Sequence, residues 1–164
     1  MAAEQSIYLD TNAIIALVEG PEPTSLSLQD FFERSKTAQV TFNISSLCLE
    51  ELLVVPYRNK DKILAEAYLG LTARIGGLSI NPVNRAILDA AAVLRANVSR
   101  LKLPDAIHLA TASTARCQYF LTFDKDFADL QQISHPIFDG TILPAVKIIR
   151  PDPASLSELS KALQ

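Results

Sequence analysis

The chain has 164 residues, of which 49% are hydrophobic and 20% are charged. This length suits one domain with a sizeable core, and the high apolar fraction excludes an intrinsically disordered chain. Fifteen Lys and Arg residues against eighteen Asp and Glu residues leave a net charge of −3. That balance counts against a basic nucleic-acid coat protein or a polybasic membrane binder.

Short β-prone segments alternate with segments of helical periodicity along the chain. The predicted strands are Ser6–Leu9, Val40–Ile44, Leu78–Asn81, Tyr119–Thr122 and Ala145–Ile149. The predicted helices are Thr11–Glu19, Leu26–Lys36, Ser46 to about Val55, Lys60–Ile75, one capped by Asn84, Pro104 to about Thr114, and Ser155–Leu163. Pro56 is expected to end or kink the third helix. Strands separated by helices predict an α/β fold, with a parallel central sheet between two helical layers.

Targeting and membrane signals are not evident in the sequence. No apolar run approaches the ~18 residues of a membrane span, and the N-terminal segment has Glu4 instead of the basic residues of a signal peptide. Cys48 and Cys117 lie in apolar stretches, without the spacing of a zinc site or a disulfide framework. We therefore expect a cytoplasmic protein with no membrane association, in which both thiols are buried as small apolar side chains.

Acidic residues follow the predicted strands at the edge where open parallel sheets carry their sites. Asp10 directly follows the first strand, Asp124 and Asp126 come after the fourth, and Asp105 lies in the helical turn that Pro104 opens. Each has a local alternative, because Asp10 and Asp105 could serve a helix N-terminus and the other two could be turn residues. Clustered together, these acids would hold Mg²⁺ or Mn²⁺, which prefer oxygen ligands.

A further acid falls inside the helix that begins at Ser46, where Glu50 and Glu51 compete for the inward position. The neighbours of Glu51 three and four residues away are all apolar, whereas Ser46 is among those of Glu50. An acid in an apolar stripe is costly to bury unless a partner satisfies it. The pattern favours Glu51 as the inward acid without excluding Glu50.

Four segments in this order, YLDTNAII, SSLCLEELLVVP, LKLPDAIHLATA and FLTFDKDF, resemble the PIN-domain family, especially the VapC-type toxin ribonucleases of prokaryotic toxin–antitoxin pairs. The resemblance covers about residues 6–148. It implies a three-layer α/β/α sandwich, with a PIN-like nuclease domain over 1–149 and a helical tail over 150–164. It also implies a Mg²⁺- or Mn²⁺-dependent endoribonuclease that cuts RNA, forms a homodimer and has an antitoxin as partner.

The resemblance also assigns roles to individual residues. The expected catalytic acids are Asp10, Glu51, Asp105 and Asp124. The expected metal ligands are Asp10, Asp105, Asp124 and Asp126, with Asn12 and Thr122 as supporting residues. In the implied mechanism a metal-activated water attacks the phosphorus in line, and no His, Lys or nucleophilic Ser takes part.

Several residues outside the acidic positions allow two interpretations each. His108, one turn after Asp105, is either a substrate contact or a partly buried side chain bonded to backbone. An apolar stripe either packs in the core or contacts a partner; it consists of Leu64, Ala67, Tyr68 and Leu71. Basic residues either bind phosphates or form ordinary surface; they are Arg58, Lys60, Lys62, Arg95, Arg100 and Lys102.

Other classes of function fit the sequence less well. A haloacid-dehalogenase-like phosphatase needs a second Asp where Asn12 stands, and no phosphate-binding P-loop motif is present. The alternatives that remain are a PIN-domain nuclease of RNA processing or repair without an antitoxin, and a non-catalytic nucleic-acid-binding module. Setting aside the five candidate acids leaves thirteen acids against fifteen bases, so the net charge does not exclude RNA.

Overall fold

The computed structural model describes residues 5–74 and 78–163. Its strands are β1 (Gln5–Leu9), β2 (Val40–Ser45), β3 (Leu78–Asn81), β4 (Tyr119–Leu121), β5 (Ile133–Ser134), β6 (Ile142–Leu143) and β7 (Lys147–Ile149). Its helices are α1 (Thr11–Glu19), α2 (Thr24–Ser35), α3 (Ser46–Asn59), α4 (Lys62–Arg74), α5 (Arg85–Asn97), α6 (Leu103–Thr114) and α7 (Pro153–Ala162). The predicted end of the fourth helix at Ile75 lies outside the described residues.

Five strands form one parallel sheet in the order β3-β2-β1-β4-β7, which places β1 at its centre. Ile7 of β1 pairs with Phe42 on one side and with Tyr119 on the other. The predicted parallel sheet is confirmed. The remaining strands, β5 and β6, form an antiparallel pair that the sequence did not predict, because two residues each are too few to show a period of two.

Side chains of β1 alternate between the two faces of the sheet, as strand geometry requires. Tyr8 packs into a core cluster with residues of α5 and α6. Ile7 and Leu9 pack into a second cluster with residues of α1, α2, α3 and α7. Helices therefore cover both faces, and the three-layer α/β/α arrangement is confirmed.

Two helix starts follow from residues that the sequence identifies, whereas the end of α3 does not. The side chain of Asn84 accepts a hydrogen bond from the Ile87 amide and caps α5, and Pro104 stands in the first turn of α6, both as predicted. The predicted end of α3 near Val55 is wrong, because the helix passes through the buried Pro56 to Asn59. Proline removes one amide donor, and the chain continues helically until Lys60 adopts a left-handed conformation with φ 56°.

The apolar stripe of α4 serves mainly the core. Tyr68 is buried and donates a hydrogen bond to Glu19, while Leu64 and Leu71 pack against the cluster on the same face. Ala67 is exposed. Three of these four side chains are thus occupied by packing within the chain.

The C-terminal segment also packs into the domain. Leu156, Leu159 and Leu163 are buried in the same cluster as Leu28 and Phe31 of α2. Both cysteines are buried, as predicted. None of the described helices is long and apolar enough to cross a membrane. The division at residue 150 stays a prediction.

Candidate active site

Four of the predicted acids line one open cavity of about 340 Å³ at the carboxyl edge of the sheet. Asp10 follows β1, Asp124 follows β4, Glu51 comes from α3, and Asp105 comes from the first turn of α6. Because β1 and β4 are parallel neighbours, their carboxyl ends bring Asp10 and Asp124 to the same place. The structure therefore brings together acids that lie up to 114 positions apart in the sequence.

Asp10 is 5% exposed and accepts three hydrogen bonds from the described residues. Its Oδ1 accepts from the Thr11 amide at 2.8 Å. Its Oδ2 accepts from Asn12 Nδ2 at 2.8 Å and from Thr122 Oγ1 at 2.6 Å. Burial raises the pKa of Asp10 above its ordinary value, and the bond from Thr122 is the main opposing effect.

Asn12 and Thr122, the two predicted supporting residues, connect the ends of β1 and β4. Asn12 Oδ1 accepts from the Phe123 amide at 2.9 Å, which ties α1 to the loop after β4. Thr122 is fully buried, and its Oγ1 accepts from the Asp124 amide at 3.0 Å while donating to Asp10. These bonds fix the direction in which the chain leaves β4 towards Asp124.

Glu51 is the acid of α3 that the structure holds in place. Its Oε2 accepts a hydrogen bond from Thr11 Oγ1 and lies 3.0 Å from His108 Nε2. Burial would raise the pKa of Glu51, but the bonds from His108 and Thr11 outweigh burial and lower it. Glu50 lies exposed at the cavity edge, and no described residue hydrogen-bonds to its carboxylate.

Asp105 and Asp124 are partly exposed and less tightly bound. The Asp105 carboxylate accepts no hydrogen bond within the described part of the chain, and Asp124 Oδ1 accepts only from the Asp126 amide, at 2.8 Å. Burial raises the pKa of Asp105, and the negative charge of Asp124 raises it further, whereas Lys102 acts in the opposite direction. The site thus contains carboxylates that repel each other.

The structure does not place Asp126 in the acid cavity. Its side chain is exposed and lines an adjacent cavity of about 310 Å³. The two cavities meet at Asp105 and Phe127, which line both. Asp126 is therefore a neighbour of the four acids, joined to Asp124 through its backbone amide.

His108 is the functional candidate whose contacts the sequence did not reveal. It is 3% exposed, and its ring bonds two side chains, Tyr8 and Glu51, so the expectation of a backbone-bonded histidine was wrong. Burial lowers the pKa of His108, but bonds to Cys48 and Glu51 raise it to about 10. The only signal in the sequence is that His108 stands three residues after Asp105. That spacing does not identify its partners on other elements.

The donor set of the cavity fits a hard divalent cation. All four acids offer carboxylate oxygens, and none forms a salt bridge with a described lysine or arginine. Burial raises the pKa values of Asp10 and Asp105, and the charge of Asp124 raises that of Asp105 further, so a nearby cation would favour both ionised carboxylates. A bound Mg²⁺ or Mn²⁺ would be such a cation.

A second group, Cys48, Glu51 and His108, is less suited to one ion. The thiol lies 3.9 Å from Nδ1 of the imidazole, whereas the carboxylate lies 3.0 Å from Nε2. One donor atom from each residue lies within 4.8 Å of the others, but the thiol and the carboxylate are nearest to different ring nitrogens. Hydrogen bonding within the group accounts for its proximity.

An α/β sheet with acids gathered at its strand ends is an architecture suited to metal-assisted chemistry on phosphate esters. A family model for the PIN domain matches residues 7–133, which is most of the chain, and the protein belongs to this family. PIN-domain proteins are generally nucleases. No curated protein sequence gives a significant match.

Solved structures of prokaryotic toxins share the fold. A toxin–antitoxin complex from Klebsiella pneumoniae is 23% identical with a TM-score of 0.57, covering 89% of this chain and 98% of that one. VapC20 from Mycobacterium tuberculosis, described as a Sarcin-Ricin loop cleaving toxin, is 19% identical with a TM-score of 0.58, covering 73% and 91%. DNA-bound VapBC from Salmonella typhimurium is 18% identical with a TM-score of 0.57, covering 90% and 99%.

Proposed function

We propose that the protein is a Mg²⁺- or Mn²⁺-dependent endoribonuclease that hydrolyses RNA phosphodiester bonds, and that it is the toxin of a type II toxin–antitoxin pair. The observation that carries the proposal is the convergence of Asp10, Glu51, Asp105 and Asp124 in one open cavity of a PIN domain. Because the cavity is open, it admits a polymer strand. The similarity to toxin structures supports the assignment to toxins.

In this proposal Asp10, Asp105 and Asp124 hold the metal, with Glu51 acting directly or through water and Asp126 as an adjacent acid. When bound, the ion supplies Lewis-acid activation of a water and stabilisation of the departing 3′ oxygen. Asn12 and Thr122 orient Asp10 through the bonds to its Oδ2. The lowered pKa of Glu51 keeps this carboxylate ionised at neutral pH.

RNA binding is supported by the cavity beside the acids. It is lined by three cations and three acids: Arg100, Lys102, Lys125, Asp105, Asp126 and Asp129. None of the cations forms a salt bridge with a described residue. Compensation of Asp105 by a metal would leave this cavity with excess positive charge, which suits the phosphates that flank a scissile bond.

The partners of the proposed function are an antitoxin protein and a second copy of the chain in a homodimer. The antitoxin is supported by the toxin–antitoxin complexes among the similar structures. The homodimer is tested by the mass of the purified protein in solution, measured by light scattering. A monomer at concentrations where RNA is cut would contradict this part of the proposal.

The activity is tested by incubating the purified protein with a mixed RNA pool and Mg²⁺ or Mn²⁺. We expect cleavage that EDTA abolishes and that Asp10→Asn lacks, although the variant folds. Thermal unfolding of the two proteins provides the control for folding. Cleavage by Asp10→Asn that equals wild type, with and without EDTA, would reject the proposed site.

A further inference from the structure

The two oxygens of the Glu51 carboxylate are in different environments. Oε2 has two partners, Thr11 Oγ1 from α1 and His108 Nε2 from α6. Oε1 accepts no hydrogen bond from the described residues. One oxygen is therefore held by the protein, and the other is left available to the cavity.

The His108 ring is itself held at its second nitrogen. The Tyr8 hydroxyl lies 2.7 Å from Nδ1, and its oxygen accepts a hydrogen bond from the Ser45 amide at 3.0 Å. In a neutral ring the Tyr8 hydroxyl donates a hydrogen bond to Nδ1, so the ring proton is on Nε2 and faces Glu51. In a protonated ring Nε2 carries a proton as well. Either state makes His108 a donor to Oε2.

Tyr8 cannot easily move out of this arrangement. It is fully buried, and its ring stacks on Phe120 with centroids 4.9 Å apart and an interplanar angle of 18°. Burial raises the pKa of Tyr8 well above its ordinary value, so the hydroxyl keeps its proton. The chain of contacts from Ser45 through Tyr8 and His108 to Glu51, here called the relay, thus starts from the rigid sheet.

We propose that His108 is a positioning residue for Glu51: together with Thr11 it occupies Oε2, so that Glu51 acts in the cavity through Oε1 alone. This inference rests on the proposed nuclease function. A buried histidine that only filled space would be costly, because an apolar side chain fills the same volume without two buried polar nitrogens. In the relay each ring nitrogen has a hydrogen-bond partner, Tyr8 at Nδ1 and Glu51 at Nε2.

Kinetics of RNA cleavage test the positioning role. His108→Leu removes both ring nitrogens, and we expect kcat to fall by about 10–100-fold with little change in KM for RNA. His108→Gln keeps an N–H donor and should recover part of the loss. Thr11→Val should lower kcat in the same way, and Thr11→Ser should restore it. Thr111→Val is the matched control, because Thr111 is buried on the same helix and its hydroxyl donates to the Ile107 carbonyl and to no other described residue.

Two measurements do not depend on cleavage. Calorimetric binding of Mn²⁺ should be weakened about tenfold in His108→Leu and unchanged in Thr111→Val. Nitrogen NMR of the wild-type ring should show a proton on Nε2, and Tyr8→Phe should shift the resonance of Nδ1, the nitrogen that loses its partner. If His108→Leu does not fold, Tyr8→Phe tests the relay, and Thr11→Val tests the second bond to Oε2.

Unprotonated Nε2 in the wild-type protein would overturn the inference, as would unchanged kcat and Mn²⁺ affinity in folded His108→Leu. Failure of the proposed function gives a different pattern. In that case wild-type protein leaves RNA intact with either metal, whereas the NMR measurement still reports whether the relay exists.

Discussion

The two sides of the acid cavity are built differently. On one side, Asp10 and Glu51 receive five hydrogen bonds from Thr11, Asn12, Thr122 and His108. On the other side, Asp105 and Asp124 are partly exposed, and a single backbone amide bonds to either of them. We call these the fixed side and the open side. Carboxylates of the fixed side are placed before any ligand arrives, whereas those of the open side can adjust to one.

The pKa shifts divide the site less cleanly than the hydrogen bonds do. Hydrogen bonds lower the pKa of Glu51 despite its burial, whereas burial raises the pKa of Asp10 on the same side. On the open side burial raises the pKa of Asp105, and the charge of Asp124 raises it further. Glu51 therefore needs no rearrangement before a ligand binds, whereas a cation near Asp105 and Asp124 would relieve the repulsion between them. The difference suggests that substitutions on the two sides affect stability with opposite signs.

The largest effect is expected from Asp10→Ala. Cleavage should fall by at least about 100-fold, since several kcal/mol of charge stabilisation are lost. The free energy of unfolding should also fall by about 1–3 kcal/mol, because buried Thr122 loses its 2.6 Å bond to Asp10 and keeps the longer 3.4 Å bond to Asn12 Oδ1. Urea unfolding measures the second effect. An Asp10→Ala protein as stable as wild type would show that the fixed side is not held by these bonds.

Asp105→Asn should reduce cleavage to a similar extent but stabilise the metal-free protein. Burial raises the pKa of Asp105, and repulsion from Asp124 and Asp10 raises it further, so removing the charge relieves both costs. The measurement is urea unfolding in EDTA at neutral pH, compared with wild type. Loss of stability in this variant would remove the distinction between the two sides.

Metal binding should stabilise the wild-type protein by about 2.7 kcal/mol when Mn²⁺ is present at a hundred times its Kd. The pKa values of Asp10 and Asp105 are raised in the folded protein, so their ionisation costs stability as the pH rises through those values. Mn²⁺ offsets that cost, and its effect on Tm should shrink as the pH falls through the same values. A constant shift in Tm at all pH values would contradict this linkage.

Glu50→Gln should have the smallest effect. Its carboxylate is exposed at the cavity edge and receives no bond from the described residues, so cleavage should stay within about twofold of wild type. Glu51→Gln is the matched comparison one residue along the same helix, and it should lose most activity. Equal losses of cleavage in the two variants would mean that the hydrogen bonds to Glu51 do not make it more important for activity than Glu50.

Local patterns in the sequence were sufficient for the sheet, for most helix positions and for the positions of acids at strand ends. They could not give the end of α3, because Pro56 weakens a helix without dictating where tertiary packing allows it to stop. They did not resolve Glu51 from Glu50 beyond a preference, since the deciding partners Thr11 and His108 are 40 and 57 residues away. The contacts of His108 with Tyr8 and Glu51 were missed for the same reason.

The central position of β1 affects when the site can form during synthesis. Asp10 lies near the N-terminus, but the neighbour that brings Asp124 beside it, β4, begins at residue 119. At cellular translation rates the ribosome needs on the order of ten seconds to pass from Asp10 to Asp124. Any product that terminates before Asp124 lacks one of the four acids, so an interrupted message yields no complete cavity.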